Sequence, residues 1–229
     1  MLTKKKKLSK KEIKEDKLVA FYYRSYSFVT ENRQRLMMYA GGLVVLIVLI
    51  IFYINHRIQQ NKEAGVQLAR VISLYDSGAY LEAIEGQAGT NILGLKKIVE
   101  QYGSTENGET AKIYLANSYN YLGKTDDALK YYEDYGGSLN IYKAAGLAGA
   151  AGCYASKNNY EKAAELYKKA AHVSKEDVLN SDYLLDAGIN YLNAGKTKDA
   201  KEMFDLIKKD YNTSPAFREV SKYLAQVEE

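Results

Sequence analysis

A stretch of 19 residues without a charged side chain, residues 36–54, constrains this chain more than any other feature. Within it, residues 43–52 are ten consecutive Leu, Val, Ile or Phe. As a helix the stretch would be roughly 28 Å long, close to the thickness of a bilayer's hydrocarbon core. A helix buried in a soluble core usually keeps a polar face, which this stretch lacks. The sequence therefore predicts a transmembrane helix over residues 36–54.

A cleaved signal peptide is the main alternative for an apolar segment near an N-terminus. Its apolar region would be shorter, would start closer to the first residue and would end in a small-x-small cleavage site. Here the apolar segment starts 35 residues into the chain and leaves through Phe52, Tyr53, Ile54, Asn55, His56 and Arg57. No cleavage site is present in that exit, which favours an uncleaved anchor.

The charges on the two sides of this segment are unequal. Residues 1–35 hold eleven Lys or Arg and four Asp or Glu, a net charge of +7, whereas residues 55–229 have a net charge of −3. Short segments rich in Lys and Arg stay on the cytoplasmic side of a membrane. We therefore expect a single-pass protein of the bacterial inner membrane, with residues 1–35 in the cytoplasm and the domain 55–229 in the periplasm.

The basic tail also contains an aromatic segment. Leu18, Tyr22, Tyr26 and Val29 fall at helical spacing, as in an amphipathic helix that lies on the inner leaflet or docks on a membrane partner. The alternative is that the lysines only enforce topology and contact anionic lipid. The sequence leaves both interpretations open, and both include membrane lipid as a partner.

The remainder of the chain is built on an internal repeat, with successive copies shifted by 35 and 37 residues. An aromatic residue is followed nine residues later by alanine and four residues after that by another aromatic, in all three copies. The copies are Lys112, Leu115, Ala116, Tyr119, Gly123, Ala128 and Tyr132; Leu147, Ala150, Ala151, Tyr154, Asn158, Ala163 and Tyr167; and Leu184, Ala187, Gly188, Tyr191, Gly195, Ala200 and Phe204. Such spacing is typical of the tetratricopeptide repeat, a pair of helices that buries its apolar face only by stacking on its neighbours.

These copies predict an all-α fold: an N-terminal transmembrane helix followed by an α-solenoid of about four helical hairpins. The expected repeats are 64–104, 109–142, 144–177 and 181–214, followed by a C-terminal helix over 215–228. Gly123, Asn158 and Gly195 are predicted to close the first helices in a left-handed conformation, and Asp126, Asn159 and Thr197 to cap the second helices. In the first, degenerate copy, a loop over 84–94 is expected to interrupt the second helix, which resumes over 95–102.

A basic tail, one anchor helix and about four tetratricopeptide repeats form an arrangement that resembles the YfgM family over nearly the whole chain. The resemblance implies an ancillary subunit of the SecYEG translocon that acts with a PpiD-like chaperone in the periplasm. It also implies that secreted polypeptides are bound in transit. A structural scaffold of another envelope complex, for division or outer-membrane assembly, is the alternative function.

The solenoid architecture suggests which residues would meet a partner. The first helix of each repeat is expected to line a groove, and nine of its residues recur at offsets of four and three. They are Ile113, Asn117 and Asn120; Ala148, Gly152 and Ala155; and Leu185, Ile189 and Leu192. Either these residues bind an extended or helical polypeptide, or they pack against adjacent helices and the C-terminal helix.

Catalysis is not predicted from this sequence. One cysteine and two distant histidines, His56 and His172, provide neither a metal site nor a nucleophilic triad. No phosphate-binding loop is present, and the basic tail is not accompanied by a basic folded domain. We therefore expect a protein that is not an enzyme, with no cofactor, no metal, no small-molecule substrate and no nucleic-acid partner.

Overall fold

The computed structural model describes residues 10–225, with side chains from Lys17 onward, and the described part of the chain is helical throughout apart from turns, loops and one isolated β-bridge. This confirms the all-α prediction. In chain order the helices are α1 (Lys10–Glu31), α2 (Arg33–Asp76), α3 (Tyr80–Glu85), α4 (Leu95–Tyr102), α5 (Glu106–Tyr121), α6 (Thr125–Glu133), α7 (Asn140–Ser156), α8 (Tyr160–Ala170), α9 (Asn180–Asn193), α10 (Thr197–Asp210) and α11 (Pro215–Leu224).

The chain divides into two compact units, Met1–His56 and Arg57–Glu229. Within the first unit, α2 carries the uncharged stretch and is long and apolar enough to cross a membrane. The side chains of its most apolar 18-residue window are not buried within the protein. The residues of the predicted transmembrane helix, 36–54, all lie within α2. The first nine residues of the basic tail and the last residues of the predicted C-terminal helix, 226–228, lie outside the described residues.

The second unit consists of successive helical hairpins. Helices α5 and α6, α7 and α8, and α9 and α10 pair with each other, and each second helix also packs on the first helix of the next hairpin. The repeat alanines Ala116, Ala128, Ala151, Ala163 and Ala200 are fully buried. Helix α11 packs on α9 and α10 and covers the end of the stack through Ala216, Val220 and Leu224.

The turns inside the hairpins have the predicted left-handed residues. Gly123, Asn158 and Gly195 have φ values of 71°, 60° and 73°, in the region where glycine and asparagine carry the smallest steric penalty. The predicted caps are only partly correct. Asn159 accepts a hydrogen bond from the backbone N–H of Lys162, but Asp126 and Thr197 lie inside the first turns of α6 and α10, whose N-cap residues are lysines.

The degenerate first hairpin is formed by the end of α2 together with α3 and α4. Helix α3 ends at Glu85, and a loop closed by a bridge between Gly86 and Leu93 follows. Helix α4 then occupies the stretch where the sequence predicts the second helix to resume. Gly94 has no room for a side chain, because a Cβ there would overlap the backbone of Ile84 and Glu85. The insertion is therefore folded back on the hairpin.

Neighbouring helices of the stack approach each other closely because aromatic rings lie against glycines. The ring of Tyr132 on α6 occupies the place that a Cβ of Gly149 on α7 would need. Phe204 on α10, which is fully buried, lies in the same way against Gly188 on α9. A ring that packs directly on the backbone of a glycine keeps the density of a protein interior. The two helices are too close for a second side chain at the glycine position. We call these two contacts the ring–glycine contacts.

Lys112 stands where the repeat pattern places a tryptophan, and it is only 8% exposed. Its Nζ lies 2.9 Å from a carboxylate oxygen of Glu109 and 2.8 Å from one of Asp134. Burial lowers the pKa of this ammonium, but hydrogen bonds to Asp134 and Glu109 outweigh burial and raise it above its ordinary value. Lys112 therefore stays charged and ties α5 to the end of α6, in place of the missing aromatic ring.

The ring–glycine contacts predict opposite effects for two identical substitutions on α7. Gly149→Ala forces the Tyr132 ring to move and should lower the free energy of unfolding by about 1–3 kcal/mol, the usual cost of overpacking. Gly152→Ala meets only the Tyr167 hydroxyl, at 3.5 Å, and should be neutral or stabilise the helix by up to about 1 kcal/mol. Urea unfolding of the detergent-solubilised chain, followed by circular dichroism, measures both. Equal effects of the two variants would contradict the packing described here.

Candidate docking surface

The nine residues predicted to line a groove all lie on first helices, α5, α7 and α9. Their exposure differs. Ile113 and Leu185 are buried, at 2% and 8% exposed. The half-buried members are Asn117, Ala148, Gly152, Ala155, Ile189 and Leu192, and Asn120 is exposed. At Ile113 and Leu185 the packing interpretation is therefore favoured, while the other seven remain partly accessible on what we call the first-helix face.

Asn117 lies in the middle of α5 and contacts the second helix of its hairpin. The Tyr132 hydroxyl donates to its Oδ1 at 2.6 Å. Because Tyr132 belongs to α6, this bond joins α5 to α6 next to the first-helix face. The amide oxygen of Asn117 is therefore already engaged inside the fold.

Five tyrosines form a continuous group beside Asn117, which we call the tyrosine cluster. They are Tyr75 on α2, Tyr80 on α3, Tyr114 and Tyr121 on α5, and Tyr142 on α7. The rings of Tyr80 and Tyr121 stack with centroids 4.5 Å apart, and Tyr75 meets Tyr114 edge to face at 5.0 Å. Tyr114 and Tyr142 lie 6.4 Å apart. Three consecutive hairpins thus contribute rings to one aromatic surface.

The tyrosine cluster is partly open to solvent. Tyr121 is 62% exposed, and Tyr80 and Tyr142 are half-buried. Burial raises the pKa of Tyr114 to about 12 and also raises that of Tyr75, so both hydroxyls stay protonated at physiological pH. Neutral tyrosines combine a large apolar ring with a hydrogen-bonding hydroxyl and lose little side-chain entropy on binding. Such a surface suits the side chains and backbone of another polypeptide.

The middle of the first-helix face is lined by small residues. Ala148, Gly152 and Ala155 follow one another on α7. A Cβ added at Gly152 would lie 3.5 Å from the hydroxyl oxygen of Tyr167 on α8. Because these residues have short or absent side chains, a bound chain could approach the α7 backbone closely. The small middle therefore continues the surface that the tyrosine cluster begins.

The α9 end of the face is acidic. Burial, together with the nearby carboxylates of Asp182 and Glu219, raises the pKa of Asp186 to about 6. Burial also raises the pKa of Tyr167 to about 12, with the Asp186 charge adding to the effect. Asp186 is half-buried and lies among groups of its own sign. Its ionisation therefore costs free energy in the folded protein.

Sequence reasoning did not identify the tyrosine cluster. A signal was available in the spacing of Tyr114, Asn117 and Tyr121, which fall three and four residues apart and so share a helix face. The contribution of Tyr75 and Tyr80 could not be read in the same way, because they belong to the degenerate hairpin. Asp186 follows the predicted Leu185 directly, and its unfavourable surroundings depend on Glu219 from α11.

Residues 17–225 contain no group of three or more His, Cys, Asp or Glu side chains that could hold a metal ion. Cys153 is buried in the core, and burial raises the pKa of its thiol, which makes it less reactive.

Comparison with known proteins supports the repeat assignment. A family model described as tetratricopeptide repeat matches residues 110–136 and 182–214. The fold is similar to the crystal structure of nearly identical TPR-like repeats of a kinesin light chain from Podosopora anserina, with a TM-score of 0.51 and 15% sequence identity. That similarity covers 73% of this chain and 94% of the kinesin light chain structure. A search of curated protein sequences finds no match to this chain. The chain therefore contains tetratricopeptide repeats, whose general role is to bind other proteins.

The surroundings of Asp186 predict a stability that depends on pH. Because its pKa is raised in the folded state, the carboxylate destabilises the fold progressively as pH rises from about 4 through about 6. Asp186→Asn should raise the free energy of unfolding near neutral pH by about 1–2 kcal/mol, after allowance for partial exposure, and should have no effect at about pH 4. Urea unfolding at both pH values measures the difference. Asp210→Asn, at an exposed carboxylate, is the control, and an identical pH dependence for the two variants would contradict the prediction.

Proposed function

We propose that this protein is a membrane-anchored docking module that binds other proteins through its first-helix face. The observation that carries the proposal is the tyrosine cluster, a partly exposed aromatic surface shared by three hairpins. Tyrosine is among the residues that contribute most to binding energy at protein interfaces. Tetratricopeptide-fold proteins are generally non-catalytic interaction modules, in agreement with this role.

The anchor in this proposal is the apolar stretch of α2, residues 36–54. Large exposed side chains such as Leu46, Ile50 and Phe52 would be unfavourable in water, and lipid is the environment that would cover them. The +7 charge of residues 1–35 supports a cytoplasmic N-terminus. In a bacterial inner membrane this orientation would place the domain 55–229 in the periplasm.

The partners we propose follow from the resemblance to the YfgM family: the SecYEG translocon, a PpiD-like chaperone and secreted polypeptides in transit. The chemistry of the first-helix face supports polypeptide partners of this kind. Neutral tyrosine hydroxyls, small residues around Gly152 and an acidic end at Asp186 would accommodate extended chains, including basic ones. A structural scaffold of another envelope complex remains the alternative outcome of the experiment below.

If the first-helix face binds a partner, removal of the stacked and exposed tyrosine rings should weaken that binding. The double variant Tyr80→Ser and Tyr121→Ser removes the two stacked rings and should reduce recovery of the partner by about tenfold or more, as expected for interface hot spots. The measurement is co-purification from native membranes in mild detergent, with the partner quantified by mass spectrometry. Tyr131→Ser is the matched control, since that half-buried tyrosine stacks on Tyr119 from the second helix α6.

The identity of the recovered protein separates the two candidate functions. Recovery of SecY and a PpiD-like chaperone with the wild-type chain would support the translocon role, and recovery of envelope-assembly proteins without SecY would support the scaffold. Equal recovery with the double variant and with Tyr131→Ser would contradict docking through the first-helix face.

A further inference from the structure

Helix α1 presents an apolar surface that no other part of the described chain covers. Eight large apolar side chains between Leu18 and Val29 are 51–71% exposed. They are Leu18, Val19, Phe21, Tyr22, Tyr23, Tyr26, Phe28 and Val29. Tyr22 contacts Tyr23 and Tyr26 along the helix, so the rings form one surface. Exposed surfaces of this kind mark sites of contact with protein or membrane.

The distribution of these side chains around α1 is wide and one-sided. At about 100° per residue, the eight side chains occupy an arc of roughly 220° that runs from Phe28 to Tyr23. The opposite arc holds Lys17, Ala20, Arg24, Ser27 and Glu31, and two small polar residues, Ser25 and Thr30, fall inside the apolar arc. A helix that pairs with a second helix needs only a narrow apolar seam. An arc of this width is instead suited to immersion in the headgroup and acyl boundary of a bilayer.

The composition of the two arcs also matches a lipid interface. Five of the eight apolar residues are Tyr or Phe, and aromatic residues with a polar atom concentrate at the boundary between hydrocarbon and water. Lys17 and Arg24 provide cations on the polar arc, whereas Glu31 accepts a hydrogen bond from Ser27 at 2.7 Å. These cations are complementary to the anionic headgroups of a cytoplasmic leaflet.

The junction with α2 keeps this surface next to the proposed span. Only Asn32 separates α1 from α2, and residues 36–54 follow four residues later. The Thr30 hydroxyl donates to the carbonyls of Tyr26 and Ser27, and the Asn32 side chain donates to that of Phe28. Side-chain hydrogen bonds to preceding carbonyls often bend helices. The Asn32 N–H donates to the Phe28 carbonyl and the Leu36 N–H to the Asn32 carbonyl, so the backbone ladder continues through the junction. A position of α1 in the plane of the membrane therefore requires a bend at this junction.

We infer that α1 lies in the headgroup region of the cytoplasmic leaflet, with its aromatic arc in lipid and Lys17 and Arg24 at anionic headgroups. This inference rests on the proposed membrane anchor. It adds a second lipid contact, which fixes the position of the N-terminal tail at the membrane surface.

The chain contains no tryptophan, so single tryptophans can report on each arc. The full-length protein is reconstituted in vesicles of phosphatidylcholine and phosphatidylglycerol with and without brominated acyl chains. Three variants are compared: Tyr22→Trp at the centre of the aromatic arc, Ala20→Trp opposite it, and Val48→Trp in the proposed span. The inference predicts a blue-shifted emission and a loss of fluorescence to bromine for Tyr22→Trp, and a smaller loss for Ala20→Trp. In vesicles of brominated phosphatidylcholine without phosphatidylglycerol, bromine should quench the fluorescence of Tyr22→Trp less.

The three positions keep the inference separable from the proposed anchor. Quenching of Val48→Trp without quenching of Tyr22→Trp would overturn the inference and leave the anchor intact. Absence of quenching at Val48→Trp would overturn both. A blue-shifted emission of Tyr22→Trp without quenching by bromine would also overturn the inference, because a protein surface, such as a second copy of the chain, would then cover the aromatic arc. Equal quenching in phosphatidylcholine alone would overturn the role given to Lys17 and Arg24.

Discussion

The stack of hairpins depends on aromatic rings that lie against bare backbone. Tyr132 packs on Gly149 of the next hairpin and Phe204 packs on Gly188 within its own hairpin, so in each case a second helix contacts a first helix more closely than a side chain at the glycine position would permit. Dense packing of this kind leaves little freedom in how the helices of a hairpin sit on each other and on the next hairpin. Ion pairs between Asp126 and Lys157 and between Glu161 and Lys196 connect consecutive hairpins and reinforce the same arrangement. The positions of the first helices, and therefore of the face they present, follow from these contacts.

On the first-helix face, residues that hold the fold together lie next to residues that are exposed to a partner. Asn117 and Tyr132 are engaged with each other inside the fold, and this bond supports the tyrosine cluster beside it. Tyr121 stacks on Tyr80 of the first hairpin and is 62% exposed, so its ring can meet a partner. The degenerate first hairpin therefore provides part of the surface that the proposed function uses.

Several features of the fold were predictable because they depend on local rules. The left-handed Asn158, the alanines at helix contacts and the helix that resumes at Leu95 each follow from spacing and turn chemistry. The candidate site was less predictable, because exposure depends on contacts between helices distant in sequence. Ile113 shares its repeat position with the partly exposed Ala148, yet it is buried. The role of Lys112 likewise depends on Asp134, which lies 22 residues later in the chain.

The most direct test of the central claim is cysteine labelling on intact spheroplasts with a membrane-impermeant maleimide. In a Cys153→Ala background, which removes the only native cysteine, Asn120→Cys reports on the first-helix face without altering the tyrosine cluster, and Lys130→Cys reports on exposed α6. We expect Lys130→Cys to be labelled at once, and Asn120→Cys to be labelled only after detergent has released the partner. Labelling of neither residue before the membrane is broken would place the domain in the cytoplasm. Equal labelling of both residues would mean that the first-helix face binds no partner, and either result would contradict the account.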